Sequence, residues 1–165
     1  MRSVIVIGLL ILFFGLLQST VFIDILRIEE VKPDLLLIVV TFFAFRYGAM
    51  VGQCAGFAAG MMQQFFSPAL LGSYAFVFTV IGCILSFARH KISADNFITS
   101  AIIVFLATLL KGLMLGFLAL LFGEIGDMYG SYIVNAFLLE LVFNPILAGP
   151  LFWLLNRFAA PAMRM

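Results

Sequence analysis

The stretch that decides the fold is residues 46–91, RYGAMVGQCAGFAAGMMQQFFSPALLGSYAFVFTVIGCILSFARHK. No charged side chain occurs between Arg46 and Arg89, and the neutral pair Ser67-Pro68 divides the stretch in two. The two apolar segments, 48–66 and 69–88, are each close to the ~20 residues that a helix needs to cross a hydrocarbon core of ~30 Å. This pattern predicts a pair of membrane-spanning helices.

Further apolar segments lie on both sides of this pair, with the few charged residues between them. The six segments are 4–23, 31–47, 48–66, 69–88, 97–122 and 132–155. Basic residues recur at the chain ends, at Arg46 and from Arg89 to Lys91, and such residues favour the cytoplasmic side. The sequence therefore predicts an all-α protein with six transmembrane helices and both termini in the cytoplasm.

Composition supports a membrane location independently. The chain of 165 residues is 65% hydrophobic and 10% charged, with a mean hydropathy of +1.24, which leaves too little polar surface to coat a water-soluble globule. The net charge of +1 comes from dispersed basic residues. Because nucleic-acid recognition needs a dense basic face, no nucleic-acid partner is expected.

The second segment has two interpretations, because its uncharged part, 35–45, is only ~16 Å long as a helix. The first interpretation is a re-entrant half-helix, which turns back within the membrane. That arrangement would place Arg89 and Lys91 outside, against the positive-inside bias. We therefore prefer a spanning helix that starts near Pro33, with Asp34 at its positive N-terminal end and Arg46 reaching the cytoplasmic headgroups.

The organisation of the chain predicts a single domain over residues 1–165. The first apolar run follows Arg2 and so resembles a secretory signal, but it continues to Ile23 without a clear small-residue cleavage site. We interpret it as an uncleaved first helix. The absence of a convincing internal repeat argues against a transporter built from inverted repeats.

Glycines at every fourth position form the strongest local motif, in the third segment. Gly48, Gly52, Gly56 and Gly60 line one helix face, where small residues let another helix backbone approach closely. Packing against a neighbouring helix of the same chain is the simpler interpretation, and a subunit interface is the alternative.

Two ionisable residues fall deep inside predicted spans, Lys111 in the fifth and Glu140 in the sixth. A charge at that depth costs at least ~2.5 to 3.5 kcal/mol, so it normally finds a partner, and these two lie within ~5 Å of the same depth. We predict a buried ion pair that fixes helix register; a proton or ligand relay is the alternative.

Uncharged polar residues in the spans have structural interpretations too. Asn144 lies one turn beyond Glu140, where it is placed to partner a carbonyl freed by Pro145 in a bent sixth helix. Gln64 and Gln18 are predicted to form interhelical hydrogen bonds. No phosphate loop, paired-carboxylate site, nucleophile motif or cysteine-based metal knuckle occurs, so we expect no catalytic, cofactor-binding or metal-binding residues and no enzyme activity.

Residues 32–85 resemble the core of the MreD family of bacterial rod shape-determining membrane proteins. The resemblance rests on Pro33-Asp34 opening an aliphatic helix, Arg46 and Gly48 at its far end, the glycine series, and Ser67 with Leu71-Gly72 before the next helix. Length and six-segment plan agree over nearly the whole chain. One position departs from the family pattern, because Gln64 stands where an acidic residue is common.

The resemblance implies a non-catalytic component of the cell-wall elongation complex in the cytoplasmic membrane. Its implied partners are the single-pass protein MreC, indirectly the class B penicillin-binding protein with its glycosyltransferase, and membrane lipids. The family's fold is similar to the substrate-binding subunits of energy-coupling-factor vitamin transporters, which supplies an alternative function. An ion or proton channel is a third possibility, resting on Lys111 and Glu140 alone.

The charge pattern generates a topology prediction. In a background without Cys54 and Cys83, a cysteine at position 127 is expected to react with an impermeant thiol reagent added outside intact cells, because that loop is predicted to face outward. A cysteine at position 91 should react only after the membrane is permeabilised. Labelling of position 91 in intact cells would contradict the predicted orientation.

Overall fold

Six helices form the described parts of the chain. The computed structural model describes residues 2–19, 33–67, 71–89, 96–122 and 127–163. The helices are α1 (Arg2–Ser19), α2 (Leu35–Tyr47), α3 (Ala49–Gln64), α4 (Ser73–Ala88), α5 (Phe97–Phe122) and α6 (Asp127–Met163). Within these residues the fold is all-helical, as the sequence predicts. The predicted loops are 24–34, 89–95 and 124–131, and their residues 24–32, 90–95 and 124–126 lie outside the described residues. Residues 127–131 belong to α6, which therefore begins before the predicted segment 132–155 and continues beyond it.

The short helix α2 is the centre of the bundle. All side chains from Leu35 to Phe45 are buried, and α2 contacts each of the other five helices. Because α2 is apolar on every side, it has no solvent-facing or lipid-facing stripe of its own. Leucine, valine, isoleucine and phenylalanine from all around α2 therefore make up the largest share of the hydrophobic core.

The helix α2 begins close to the start near Pro33 that the sequence predicts, four residues after the start of the apolar segment 31–47. Asp34 is the N-cap residue, and its Oδ1 accepts a hydrogen bond of 2.9 Å from the backbone N–H of Leu37. The helix has 13 residues and is therefore about 20 Å long, less than the ~30 Å of a hydrocarbon core. Asp34 thus lies inside the bundle rather than in a loop outside it.

The glycine face of α3 lies against α4. A Cβ added at Gly52 would lie 2.8 Å from the carbonyl oxygen of Gly82, and one at Gly56 or Gly60 would likewise collide with the backbone of α4. Only glycine allows the two helix backbones to approach this closely.

Gly48 has a different role from the other three. Its φ of 91° is in the left-handed region, and its N–H donates to the carbonyl oxygen of Ala44, which ends α2 before α3 begins. The guanidinium of Arg89 lies over the position that a side chain would take. Gly48 therefore forms the tight connection between α2 and α3, and its neighbour at the end of α4 is the side chain of Arg89 rather than the helix backbone.

Within the described residues, two helices are long and apolar enough to cross a membrane on their own. They are Phe97–Phe122 and the part of α6 from Phe137 to Phe158. The apolar parts of α1, α2 and α4 are shorter. The helix α6 continues through Pro145 and Pro150, so neither proline ends it.

We call the end of the bundle near Asp34 the upper end and the end near Gly48 the lower end. The C-terminal residues of α1 and α3 and the first residues of α2 and α4 meet at the upper end, through hydrogen bonds described below. Under the predicted topology the upper end faces outward and the lower end faces the cytoplasm.

The contact between α3 and α4 generates a stability prediction. Gly56→Leu is expected to destabilise the protein by about 1–3 kcal/mol, because the new side chain has no space between two packed backbones. Thermal unfolding of the purified protein in mild detergent measures the loss.

The matched control is Gly8→Leu, because Gly8 is also a helical glycine but an added Cβ meets nothing within 4 Å among the described residues. This variant is expected to keep the wild-type unfolding temperature. Equal stability of the two variants would mean that Gly56 is not at a close helix contact.

Candidate functional site

The side chain of Lys111 on α5 binds two carboxylates at once. Its Nζ lies 2.8 Å from Oδ2 of Asp34, at the start of α2, and also forms an ion pair with Oε2 of Glu140 on α6. The predicted partners Lys111 and Glu140 are therefore in contact, and a third charged residue joins them. We call these three residues the charged cluster.

Asp34 is the residue that sequence reasoning missed at this site. Its side chain is only 1% exposed. One carboxylate oxygen accepts from the N–H of Leu37 and the other from Lys111, so both oxygens are satisfied within the protein. The short uncharged run of the second segment could have indicated this burial. In a helix too short to reach the membrane surface, the first polar residue lies in the interior.

Asn144 fixes the start of α2 against α5 and α6. Its Oδ1 accepts a hydrogen bond of 2.8 Å from the backbone N–H of Asp34, and its Nδ2 donates to Oγ1 of Thr108, 3.1 Å away. The Thr108 hydroxyl in turn donates to the carbonyl oxygen of Val104. The sequence suggested that Asn144 partners a carbonyl freed by Pro145, but its amide instead joins α6 to two other helices.

The spacing of these residues follows from helix geometry. Glu140 and Asn144 are four residues apart on α6, and Thr108 and Lys111 are three apart on α5, so each pair shares one helix face. The two faces meet each other and the end of α2. The helices α5 and α6 therefore each contribute one charged and one uncharged polar side chain to this contact. The start of α2 contributes the side chain and the backbone N–H of Asp34.

Glutamines extend the polar contacts to the other helices at the same level. Gln18 at the end of α1 donates from Nε2 to Oε1 of Gln63 on α3, and its own Oε1 accepts from the N–H of Leu36. Gln64 accepts hydrogen bonds from the N–H groups of Gly72 and Tyr74 at the start of α4. Gln18 and Gln64 thus form interhelical hydrogen bonds, as the sequence predicts. Each of them accepts from backbone N–H groups at the start of another helix.

Side chains from five helices therefore contribute to one layer of polar contacts at the upper end of α1–α4, and the start of α4 takes part through backbone N–H groups that donate to Gln64. We call it the polar layer, and it consists of the charged cluster with Asn144, Thr108, Gln18, Gln63 and Gln64. In α5 it lies mid-helix, because Lys111 is 14 residues after Phe97 and 11 before Phe122. These separations correspond to about 21 Å and about 16 Å.

Below the polar layer the interior is apolar. Phe42 on α2 stacks edge to face on Phe152 of α6 and on Phe43, and the hydroxyl of Thr41 donates to the carbonyl oxygen of Leu37 in its own helix. Buried residues from α4 and α5, including Phe78 and Val104, complete this packing. The charged cluster is thus separated from the lower end by a closely packed apolar core.

Other residues singled out from the sequence lie away from the charged cluster. Arg46 is exposed in the last turn of α2. Gly72 has a φ of 92° and begins α4, where a side chain is disfavoured. The side chain of Ser67 interacts with Tyr74. Cys54 and Cys83 are both free thiols, and among the described residues no three His, Cys, Asp or Glu side chains come together as a metal-binding group.

The three-membered cluster changes the mutational pattern expected from a simple pair. Lys111→Met leaves two buried carboxylates without their cation, and we expect a loss of about 3–5 kcal/mol in thermal unfolding experiments in detergent. Adding Glu140→Gln still leaves Asp34 without its partner. The triple change with Asp34→Asn removes every charge and should recover more stability than the double change does.

The control for the single change is Leu113→Met, on the exposed face of the same helix, where Leu113 is 63% exposed. It is expected to leave stability unchanged. If the double variant Lys111→Met with Glu140→Gln is as stable as the triple variant, Asp34 does not belong to the cluster.

Comparison with known proteins places this arrangement in a family. Neither the search of curated proteins nor the search of solved structures finds a match. The family model described as rod shape-determining protein MreD matches residues 1–158. That match covers all six helices up to the last turns of α6 and includes every residue of the polar layer. The chain therefore belongs to the MreD family of rod shape-determining membrane proteins.

Proposed function

We propose that this protein is a non-catalytic component of the bacterial cell-wall elongation complex. In this role it binds the single-pass membrane protein MreC and helps to regulate lateral peptidoglycan synthesis by the class B penicillin-binding protein and its glycosyltransferase. The match of residues 1–158 to the MreD family is the observation that carries the proposal.

We further propose six membrane spans in a single domain, with both termini in the cytoplasm. The charge asymmetry of the sequence supports this topology. The contacts of α2 with every other helix support a single domain, because a helix buried on all sides cannot be separated from its neighbours. On this proposal the fold resembles that of energy-coupling-factor binding subunits.

The polar side chains of the bundle support a scaffolding role. Lys111, Asp34 and Asn144 all bind other groups of the protein, so their hydrogen-bonding capacity is used to hold helices together. Groups engaged in this way stabilise and specify a fold. A scaffold with a fixed shape suits a protein that positions its partners in the membrane.

The partner surface is proposed to lie outside the α3–α4 contact. Gly52, Gly56 and Gly60 face the backbone of α4, so the glycine face that the sequence offered as a possible subunit interface is already occupied within the chain. The outward-facing sides of the peripheral helices are left for MreC and for lipid.

Purification from native membranes tests the proposed function. The tagged full-length protein is extracted in mild detergent, and the proteins that elute with it are identified. MreC is expected among them. The Gly8→Leu variant, which is expected to pack like the wild type, should also copurify with MreC unless the α1 face around Gly8 is the interface. Recovery of an ATPase-bearing transporter module without MreC would contradict the proposal and favour the vitamin-transporter alternative.

Cell shape provides a second readout. The wild-type gene is expected to restore rod shape to cells of the source bacterium depleted of this protein, and Lys111→Met is expected to fail because the fold is lost. Restoration of rod shape by a variant that no longer copurifies with MreC would show that MreC binding is not how the protein acts.

A further inference from the structure

The charged cluster has one negative charge too many. Asp34 and Glu140 supply two carboxylates, and Lys111 supplies the one ammonium group that binds them both. Among the described residues, the ionisable group facing the cluster from α4 is the phenol of Tyr74, which is neutral near neutral pH. The groups from α1 and α3 at this level are glutamines, which are also neutral.

A net charge in this position is costly. Asp34 and Lys111 are almost completely buried in the bundle, and isolated charges within a membrane are strongly disfavoured. An ion pair between one carboxylate and one ammonium is neutral as a whole, whereas the three ionised groups together are not. Among the described residues no second cation contacts the two carboxylates, and a proton on one carboxyl group would balance the excess charge without any other ligand.

The surroundings of the two carboxylates differ. Asp34 caps α2, and each of its oxygens has a donor within the protein, the N–H of Leu37 for Oδ1 and Nζ of Lys111 for Oδ2. Glu140 has Lys111 as its hydrogen-bond partner among the described residues. Its side chain is 19% exposed, whereas that of Asp34 is 1% exposed.

We propose that Glu140 is a proton-binding site, whose carboxyl group holds one exchangeable proton while Asp34 and Lys111 form the permanent ion pair. The proton adds to Oε1 or Oε2 of Glu140 as an O–H bond and comes from water on the upper side of the bundle. Its binding makes the cluster neutral, and its loss leaves one excess negative charge between α5 and α6.

The described residues beneath the cluster offer no route for a proton to the lower end. Phe42, Phe43 and Phe152 fill the interior beneath the cluster, and the described side chains offer no chain of titratable groups from Glu140 to the lower end. Among the described residues such a site can bind a proton but has no titratable groups through which to pass it to the lower end. The assignment is therefore different from the proton relay considered from the sequence.

Infrared spectroscopy of the full-length protein in detergent tests the proposal directly. A protonated carboxyl group has a C=O stretch separate from the carboxylate bands, and we expect one such band near neutral pH. The band should shift in deuterated water, because the proton exchanges, and it should disappear in Glu140→Gln. Absence of the band in the wild type, its failure to shift, or its persistence in Glu140→Gln would overturn the proposal.

Isotope labelling distinguishes the two carboxyl groups. If the proton is on Glu140, the band shifts when glutamate side chains carry carbon-13 and stays in place when aspartate side chains carry it. A shift with labelled aspartate would assign the proton to Asp34 and overturn the proposal. This measurement uses the wild-type protein and does not depend on any variant folding.

Thermal unfolding gives an independent comparison. Gln is neutral and similar in size to protonated Glu, so Glu140→Gln should keep an unfolding temperature close to that of the wild type near neutral pH, far above that of Lys111→Met. An unfolding temperature as low as that of Lys111→Met would mean that the ionised form of Glu140 is needed. Both outcomes concern the cluster alone, so they are independent of whether MreC binds.

Discussion

The ammonium group of Lys111 is the constraint on which the rest of the bundle depends. A lysine in the middle of a long apolar helix must find anionic partners, and here they come from α2 and α6. That requirement fixes the height of Asp34, and with it the height at which α2 begins. Since α2 contacts every other helix, its position in turn sets the packing of the whole described structure.

Backbone groups at helix ends impose a second constraint at the same level. A helix that begins inside a bundle leaves N–H groups that water does not reach. The structure satisfies them with side chains, since Asp34 binds the N–H of Leu37, Asn144 that of Asp34 and Gln18 that of Leu36. The polar layer thus consists of the groups that an internal helix start requires.

The features predicted correctly from the sequence are those that depend on a single helix, such as its limits and the depth of its polar residues. The contacts at the point where three helices meet were not predicted. The helix α5 spans the predicted residues 97–122, because its limits follow from an uninterrupted apolar run. Depth along a helix also brought Lys111 and Glu140 to the same level. Depth cannot reveal that α2 begins at this level, so Asp34 was predicted at the end of its helix and not as a third member of the cluster. Asn144 was misread for the same reason, because a nearby proline suggested a local partner whereas its partners are distant in sequence.

The burial of α2 has a consequence for how the chain is assembled in the membrane. The groups that bind Asp34 belong to residues 111 and 144, which are 77 and 110 positions later in the chain. While these residues are still to be synthesised, the first turn of α2 has neither its cation nor its amide partner. The centre of the molecule is therefore completed last, because the packing of α2 is incomplete until α5 and α6 have been synthesised.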